Sequence, residues 1–447
     1  MKKYINKILY VFAMAALVIG CTIDDLKDEN NLSLELLLTD ADNVEDLLVG
    51  SYIFAGSGGS YGGQTYIASE LIGSTDELIW NGTFNDGQQY IDKNILPSNG
   101  MVSTLMADNY DVINQANTVL FGLDLFENQD RRNRVEGEAK FLRGLEHFDL
   151  VRFFAKQYQS GGSNNQLGVS ILLTSTLNEI AENPRSTVEE VYNQVIIDLN
   201  DAVNLLPNTN GVFADKYTAK ALLARVYLQQ QNYSAARDIA NDVILNSGHS
   251  LTATIEDAFN NDTDSSEDVF AMQVTVQSGA NSMNTFWATQ ANGGRPGNPD
   301  IAISDDFINS YDANDDRGQF FYTGNGGNAS SKWINRNANV PLLRLAEMYL
   351  IRAECNIRIG SSIGNSPLND VNILRVRANA PVLNSVNLEA VLQERIFELS
   401  FEGHLLHDVK RLGLTAGGLS SDSDKLVLPI PEDELNTNPN STQNPGY

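Results

Sequence analysis

Three tryptophans, Trp80, Trp287 and Trp333, all stand in segments rich in Gly and Asn rather than in regular helical patterns. A sugar ring presents an apolar C–H face with hydroxyls around its rim. A site for one therefore needs an exposed aromatic plate beside Asn, Asp, Gln or Arg side chains. Each Trp has such company. Asp76, Asn81 and Phe84 stand near Trp80; Asn284, Gln290, Asn292 and Arg295 near Trp287; Tyr322 and Asn335 near Trp333. The expected site is a shallow aromatic and polar platform made from distant segments brought together. Its candidate ligand-binding residues are Trp80, Trp287, Trp333, Asp76, Asn81, Arg295 and Tyr322. A Trp in such a segment serves about as often to anchor a loop with little other packing. Trp333, which borders a helix expected from Pro341, is the weakest of the three on that ground.

Other residue patterns resemble catalytic or metal sites only in part. Gly58-Gly59-Ser60-Tyr61-Gly62 has the letters of a nucleophile elbow, but that motif needs a strand before it and a helix after it. Here a helix precedes and more glycines follow, so a flexible loop over Gly56 to Gly63 is expected. His404 and His407 are spaced to share a helix face, yet only four His exist in the chain and no further ligand is suggested. Asp312, Asn314 and Asp316 begin like a Ca²⁺ loop. Arg317 takes the required Gly position and Thr323 the required Glu position, so the loop fails. Oxygen ligands are plentiful at 262–268 and 312–316, where a looser Ca²⁺ site stays open, but no metal or other cofactor is predicted. No spacing singles out a carboxylate pair for glycoside cleavage, and no catalytic residue is assigned.

The N-terminus carries an address. Lys2, Lys3 and Lys7 precede an uncharged apolar run, Ile8 to Ile19, too short for a comfortable membrane span. Val18-Ile19-Gly20-Cys21 closes it in the manner of a bacterial lipobox, which implies lipid attachment at Cys21 after removal of residues 1–20. Acyl chains would then hold the protein at a bilayer without a transmembrane helix. Residues 21–41 read as an acidic tether, with Asp24, Asp25, Asp28 and Glu29 near its start. Cys355, the second of two cysteines, lies in an apolar helical run and is expected to be a small buried hydrophobe.

The elements that must hold the platform read mainly as helices. Amphipathic or capped patterns cover 42–55, 102–126, 131–154, 187–206, 216–246 with a turn at Gln231-Asn232, 341–360 and 367–379. Thr187-Val188-Glu189-Glu190 has the form of a capping box. Around the turn at Gln231-Asn232, the placing of Leu223, Ala224, Tyr227, Ala236 and Ala240 fits a tetratricopeptide unit, in which small residues let two helices cross closely. One such unit cannot bury its own apolar face, so about four helix pairs should stack. The fold class expected is mainly α: a tetratricopeptide-like scaffold over 42–447 with loop-rich inserts at 56–101 and 247–340, the second holding a short strand at Val269–Val274. With 57 acidic against 30 basic residues, the net charge is −27, and loss of three Lys with residues 1–20 leaves −30. Such a chain repels phosphate backbones, which argues against nucleic-acid binding.

Several stretches then resemble one known family. They are Phe141-Leu142-Arg143-Gly144-Leu145-Glu146-His147-Phe148-Asp149-Leu150-Val151-Arg152, Leu343 to Glu354, Asn372 with Arg375 and Arg377, Glu394 to His404, Asp408 to Arg411, Leu428 to Pro431 and Gln443 to Tyr447. In this order they resemble the SusD/RagB family of Bacteroidetes outer-membrane lipoproteins. Met106 departs from the Trp often found four residues before the equivalent of Tyr110. The resemblance implies a non-catalytic, lipid-anchored protein facing outward from the outer membrane. It implies capture of oligosaccharides or polysaccharides for import through a SusC-like TonB-dependent transporter. The RagB-type alternative is a peptide binder or a structural lid on the same system.

Overall fold

The computed structural model describes residues 38–175, 183–275, 279–297 and 299–447; Cys21, the signal segment and most of the acidic tether lie outside the described residues. In chain order the elements used below are α1 (Ala41–Ala55), α2 (Gln64–Gly73), β1 (Leu78–Trp80), α3 (Asn85–Ile91), α4 (Gly100–Phe121), α5 (Gln129–Phe154), α6 (Val188–Leu205), α7 (Lys216–Gln229) and α8 (Tyr233–Asn246). They continue with β2 (Asp268–Met272), α9 (Ser282–Trp287), β3 (Ile301–Ile303), β4 (Phe321–Gly324), β5 (Gly327–Ser330), β6 (Val340–Arg344), α10 (Leu345–Arg358), α11 (Pro367–Arg377), α12 (Leu388–Leu399) and α13 (Leu405–Leu412).

The helices pack as the pairs α1/α4, α5/α6, α7/α8 and α10/α11, with α4 also against α5, α6 against α7 and α8 against α10. A side-chain cap starts each of them except α10. Asn128 accepts from Arg131 N at 2.8 Å ahead of α5, and Asp215 accepts from Tyr217 N and Thr218 N at 2.8 Å ahead of α7. The capping box at Thr187 and Glu190 is present at the start of α6. Gln231 takes a left-handed φ of 59° to end α7, and Asn232 caps α8. Ala221, Ala224, Ala236 and Ala240 are fully buried in the α7/α8 pair, which is the close crossing the small residues imply.

Three sequence expectations change. Gly56 to Gly63 is not a flexible loop: residues 59–63 are buried, and a Cβ on Gly62 would lie 2.2 Å from the Gly56 carbonyl oxygen. The next ten residues form α2, buried all round, so no polar face exists to give it a readable period. The expected helix from Pro341 begins only at Leu345; Val340–Arg344 is β6, antiparallel to β2. Cys355 is buried as expected, Met106 is buried too, and Tyr110 donates its hydroxyl to the Ser170 carbonyl at 3.0 Å.

The 247–340 insert is fastened to the helices by buried charge. Arg344 pairs with Glu267 at 2.5 Å, Glu398 at 3.0 Å and Glu402 at 2.7 Å. Arg377 reaches Glu267 at 2.5 Å and also Glu398. Arg317 pairs with Asp315 and Glu394 at 2.7 Å, and with Glu398 at 3.3 Å. Lys332 pairs with Glu402 at 2.6 Å, and Arg375 with Glu394 at 2.8 Å. Five cations thus face five carboxylates, so the cluster is buried without net charge. Burial opposes ionisation of Glu398, but Arg377, Arg344 and Arg317 overcome it and hold its carboxyl far below the usual range.

Candidate ligand-binding platform

A four-stranded antiparallel sheet, β1-β3-β5-β4, brings the two expected site segments together. Leu78, Ile79 and Trp80 pair with Ile303, Ala302 and Ile301, and Asn81 N donates to the Asp300 carbonyl at 2.8 Å. Beyond β1 the chain wraps around Trp80. The indole N–H donates to the Phe84 carbonyl at 3.1 Å, and Cβ atoms on Gly82 or Gly87 would stand 2.4 Å and 2.3 Å from the ring. Trp80 stacks on Phe286 of α9 with centroids 6.3 Å apart, and Phe286 tilts against Phe84 at 6.5 Å.

The tryptophan platform therefore needs correction. Trp80 is 8% exposed, Trp333 3% and Trp287 not at all, so none offers a free ring face. Trp287 packs on Phe401 at 5.1 Å, and Trp333 lies between Tyr66 and Phe259. Each indole is large enough to anchor an insert segment to the core, and that burial outweighs its use as an exposed plate. The ring left outside is Phe84, at 47% exposure. The Arg295 guanidinium lies over it, 3.9 Å from the centroid. Arg295 also pairs with Asp300 at 2.6 Å and reaches the Thr83 hydroxyl at 3.4 Å. Burial pushes the Asp300 carboxyl up, against the pull of Arg295. Exposed Asn81 donates its amide to the Gly326 carbonyl at 3.0 Å, joining the β4–β5 turn to the same surface.

Of the expected residues, Trp80, Asn81 and Arg295 come together, with Trp80 as the buried support. Asp76 stands in the bend before β1 while Asn81 follows it, at the other end of the strand. Tyr322 accepts from Thr289 N at 3.0 Å and serves as a strap within the sheet region. Phe286 carries the stack without having been singled out; its spacing to Trp80 is visible only once the sheet is formed. The exposed ring, guanidinium, amide and hydroxyl of Phe84, Arg295, Asn81 and Thr83 can cover an apolar ring face and hydrogen-bond its rim.

The remaining motifs are structural. Ser60 is fully buried, with α1 rather than a strand before it. His404 and His407 are buried and held well below the usual range, by burial first and then by nearby cations, Arg395 for His404 and Arg152 for His407. Among the described residues no group of three or more His, Cys, Asp or Glu is placed to hold a metal. Arg317 enters the buried charge cluster, and Asp312 accepts instead from Asn314 N at 2.9 Å. An apolar hollow of about 90 Å³ lined by Ile396, Leu399, Phe401 and Leu412 lies apart from the platform, and its volume is too small for a sugar ring.

A helical-repeat frame that carries an aromatic and polar surface on its inserts defines a class of binding scaffold. Residues 32–228 match the family model described as starch-binding associating with outer membrane, and residues 246–426 match that of the SusD family. The chain belongs to the SusD/RagB family. SusD-like protein P2 of Formosa agariphila is 24% identical over the full length of both chains. A SusD superfamily protein from Bacteroides thetaiotaomicron superposes with a TM-score of 0.82 at 24% identity, covering 91% of this chain and 100% of that one. A laminarin-binding SusD-like protein gives 0.75 at 22% identity, with 91% and 100% covered. Among the described residues no helix is long and apolar enough to cross a membrane.

Proposed function

We propose that this protein binds neutral oligosaccharides or polysaccharides on the Phe84–Arg295 surface, without catalysis, and passes them to a SusC-like TonB-dependent transporter. Lipid at Cys21 anchors it to the outer membrane, facing the cell surface. The observation that carries the reading is the exposed Phe84 ring, set against Phe286 and Trp80, with the Arg295 guanidinium over it and Asn81 and Thr83 beside it. Family membership supports the ligand class, since the matched description names starch and one structural relative is named for laminarin. The choice of neutral glycans rests on charge. Arg295 is already matched by Asp300 at 2.6 Å, and the chain as a whole is at −27. A uronate or sulfate would find Arg295 already matched and would approach against the overall field.

The test is isothermal titration of the mature protein against hexasaccharides of starch, laminarin, xylan and mannan, repeated with Phe84→Ala. Loss of an aromatic hot spot should weaken binding by about 2 kcal/mol, near thirtyfold. Wild-type affinity in Phe84→Ala sinks the site. Failure of every glycan, with peptides recovered on a copurified transporter, decides for the RagB-type alternative. Release of shorter sugars during incubation overturns the non-catalytic reading.

A further inference from the structure

We propose a second carbohydrate contact in the groove at the α7–α8 turn, lined by Tyr158, Ser160, Gln230, Asn232, Tyr233 and Ser234. It rests on the reading above that the ligand is a glycan. The groove is open and about 410 Å³ in volume, which holds one to two sugar rings. No cluster of charge lines it. Its chemistry is two phenol rings with primary amides and hydroxyls between them, the set that a hydroxylated ring needs.

Both rings are braced by neighbours. Tyr158 packs on Tyr192 with centroids 4.9 Å apart, and the Arg358 guanidinium lies 4.9 Å from the Tyr233 centroid. The turn between them is also fixed. Gln231 holds its left-handed φ of 59° and donates its amide to the Arg411 carbonyl at 3.2 Å. A non-glycine residue in that conformation costs about 1 kcal/mol. The tie to Arg411 helps offset the cost and keeps Gln230 and Asn232 in place on either side. Asn232 uses its side-chain oxygen to cap Ala235 N at 3.4 Å, which leaves its amide N–H₂ for a ligand. The half-buried Gln230 amide and the hydroxyls of Ser160, Tyr233 and Ser234 make no side-chain hydrogen bond with the described residues. Donors and acceptors are thus set around two braced aromatic rings, on helical-scaffold segments separate from the insert that carries Phe84. Two contacts on one rigid frame suit a polymer better than a short oligosaccharide, because the second contact becomes intramolecular once the first is made.

The experiment compares wild type, Tyr233→Ala, Ser160→Trp and Phe84→Ala on the hexasaccharides that titrate, and on the parent polysaccharides by retardation in affinity gels. Ser160→Trp fills the groove from an exposed position and leaves both tyrosines in place, so it guards against loss by misfolding; melting temperatures check all variants. Two hexasaccharide equivalents per wild-type protein, falling to one in Tyr233→Ala and in Ser160→Trp, with polymer retardation weakened at least about tenfold, is the expected result. One equivalent that Phe84→Ala removes and the groove variants leave intact overturns the second contact while the Phe84 reading stands. No titration with any glycan overturns the Phe84 reading and the groove with it.

Discussion

Glu398 is the strongest single test of how the insert is held. Its carboxylate meets Arg317 at 3.3 Å, Arg344 at 3.0 Å and also Arg377, all in the interior. Glu398→Ala leaves those guanidiniums short of a counter-charge in a place water does not reach, and the balanced cluster gains a net positive charge. Removing one partner from a buried ionic group costs about 3–5 kcal/mol. With an unfolding entropy of about 2.1 cal/mol/K per residue over some 400 residues, that lowers the melting temperature by about 4–6 °C. Differential scanning calorimetry measures it, with exposed Glu127→Ala as the control for loss of one negative charge. Glu398→Gln keeps the shape and one acceptor, so its cost should fall between the two.

The sign of the pH dependence follows from the depressed carboxyl. A carboxylate held below its unfolded value stabilises the fold above that value, about pH 4.5, and the gain is lost as pH falls toward the folded value. The gap between wild type and Glu398→Ala should therefore stay constant from pH 5 to 8 and close only in stronger acid. A melting drop no larger than that of Glu127→Ala, or a gap that closes on raising the pH, refutes the account of the cluster.

Gly87→Val would put side-chain atoms where even a Cβ stands 2.3 Å from the Trp80 ring. The loop must move, with a cost of about 1–3 kcal/mol in calorimetry and a loss of glycan affinity at Phe84. Asn444 donates to the Phe154 and Leu428 carbonyls at 2.9 and 2.7 Å and accepts from Arg185 at 2.8 Å. Asn444→Ala leaves the buried Leu428 carbonyl without its donor, while the Phe154 carbonyl keeps Arg185 at 3.1 Å; the cost should be about 1–3 kcal/mol, read as a melting drop of about 1–4 °C. Cys355 is fully buried and its thiol is pushed up by burial, so it should resist a thiol reagent in the native protein and react only on unfolding. Reaction within minutes at neutral pH would contradict that burial.

The helical frame was legible because its signals are local. The capping box at Thr187, and small residues at Ala236 and Ala240, act within one or two turns of their own helix. α2 was hidden by the same physics: a helix buried on every side has no polar face to mark its period. β6 was read as helix because Pro341-Leu342-Leu343-Arg344 runs without a break into the apolar pattern of α10. Only pairing with β2, some seventy residues earlier, makes it a strand. For the platform, composition pointed to segments that the sheet brings together and to rings that the fold buries. Trp80 and Phe84 are four residues apart and both aromatic, and their spacing does not decide which is buried. The choice is made by Phe286 and by Gly82 and Gly87, which leave room for an indole on the inner side only.

The family's most distinctive stretches serve the frame and not the ligand. Arg344, Glu347, Arg352 and Glu354 point to Glu402, Arg225, Asp370 and Arg411, and every one of these eight groups is buried. Such pairs tolerate little change, because altering one side strands the other. The platform obeys no such constraint. Phe84, Asn81 and Thr83 lie on an exposed turn whose fixed points are a buried indole and two glycines. Side chains at those three exposed positions can change more freely, as long as Trp80 stays sealed beneath them and position 81 keeps its backbone N–H for the Asp300 carbonyl. The ionic interior can thus stay the same while the surface above it is refitted to another sugar, so resemblance in the buried stretches predicts the scaffold and is silent on the glycan.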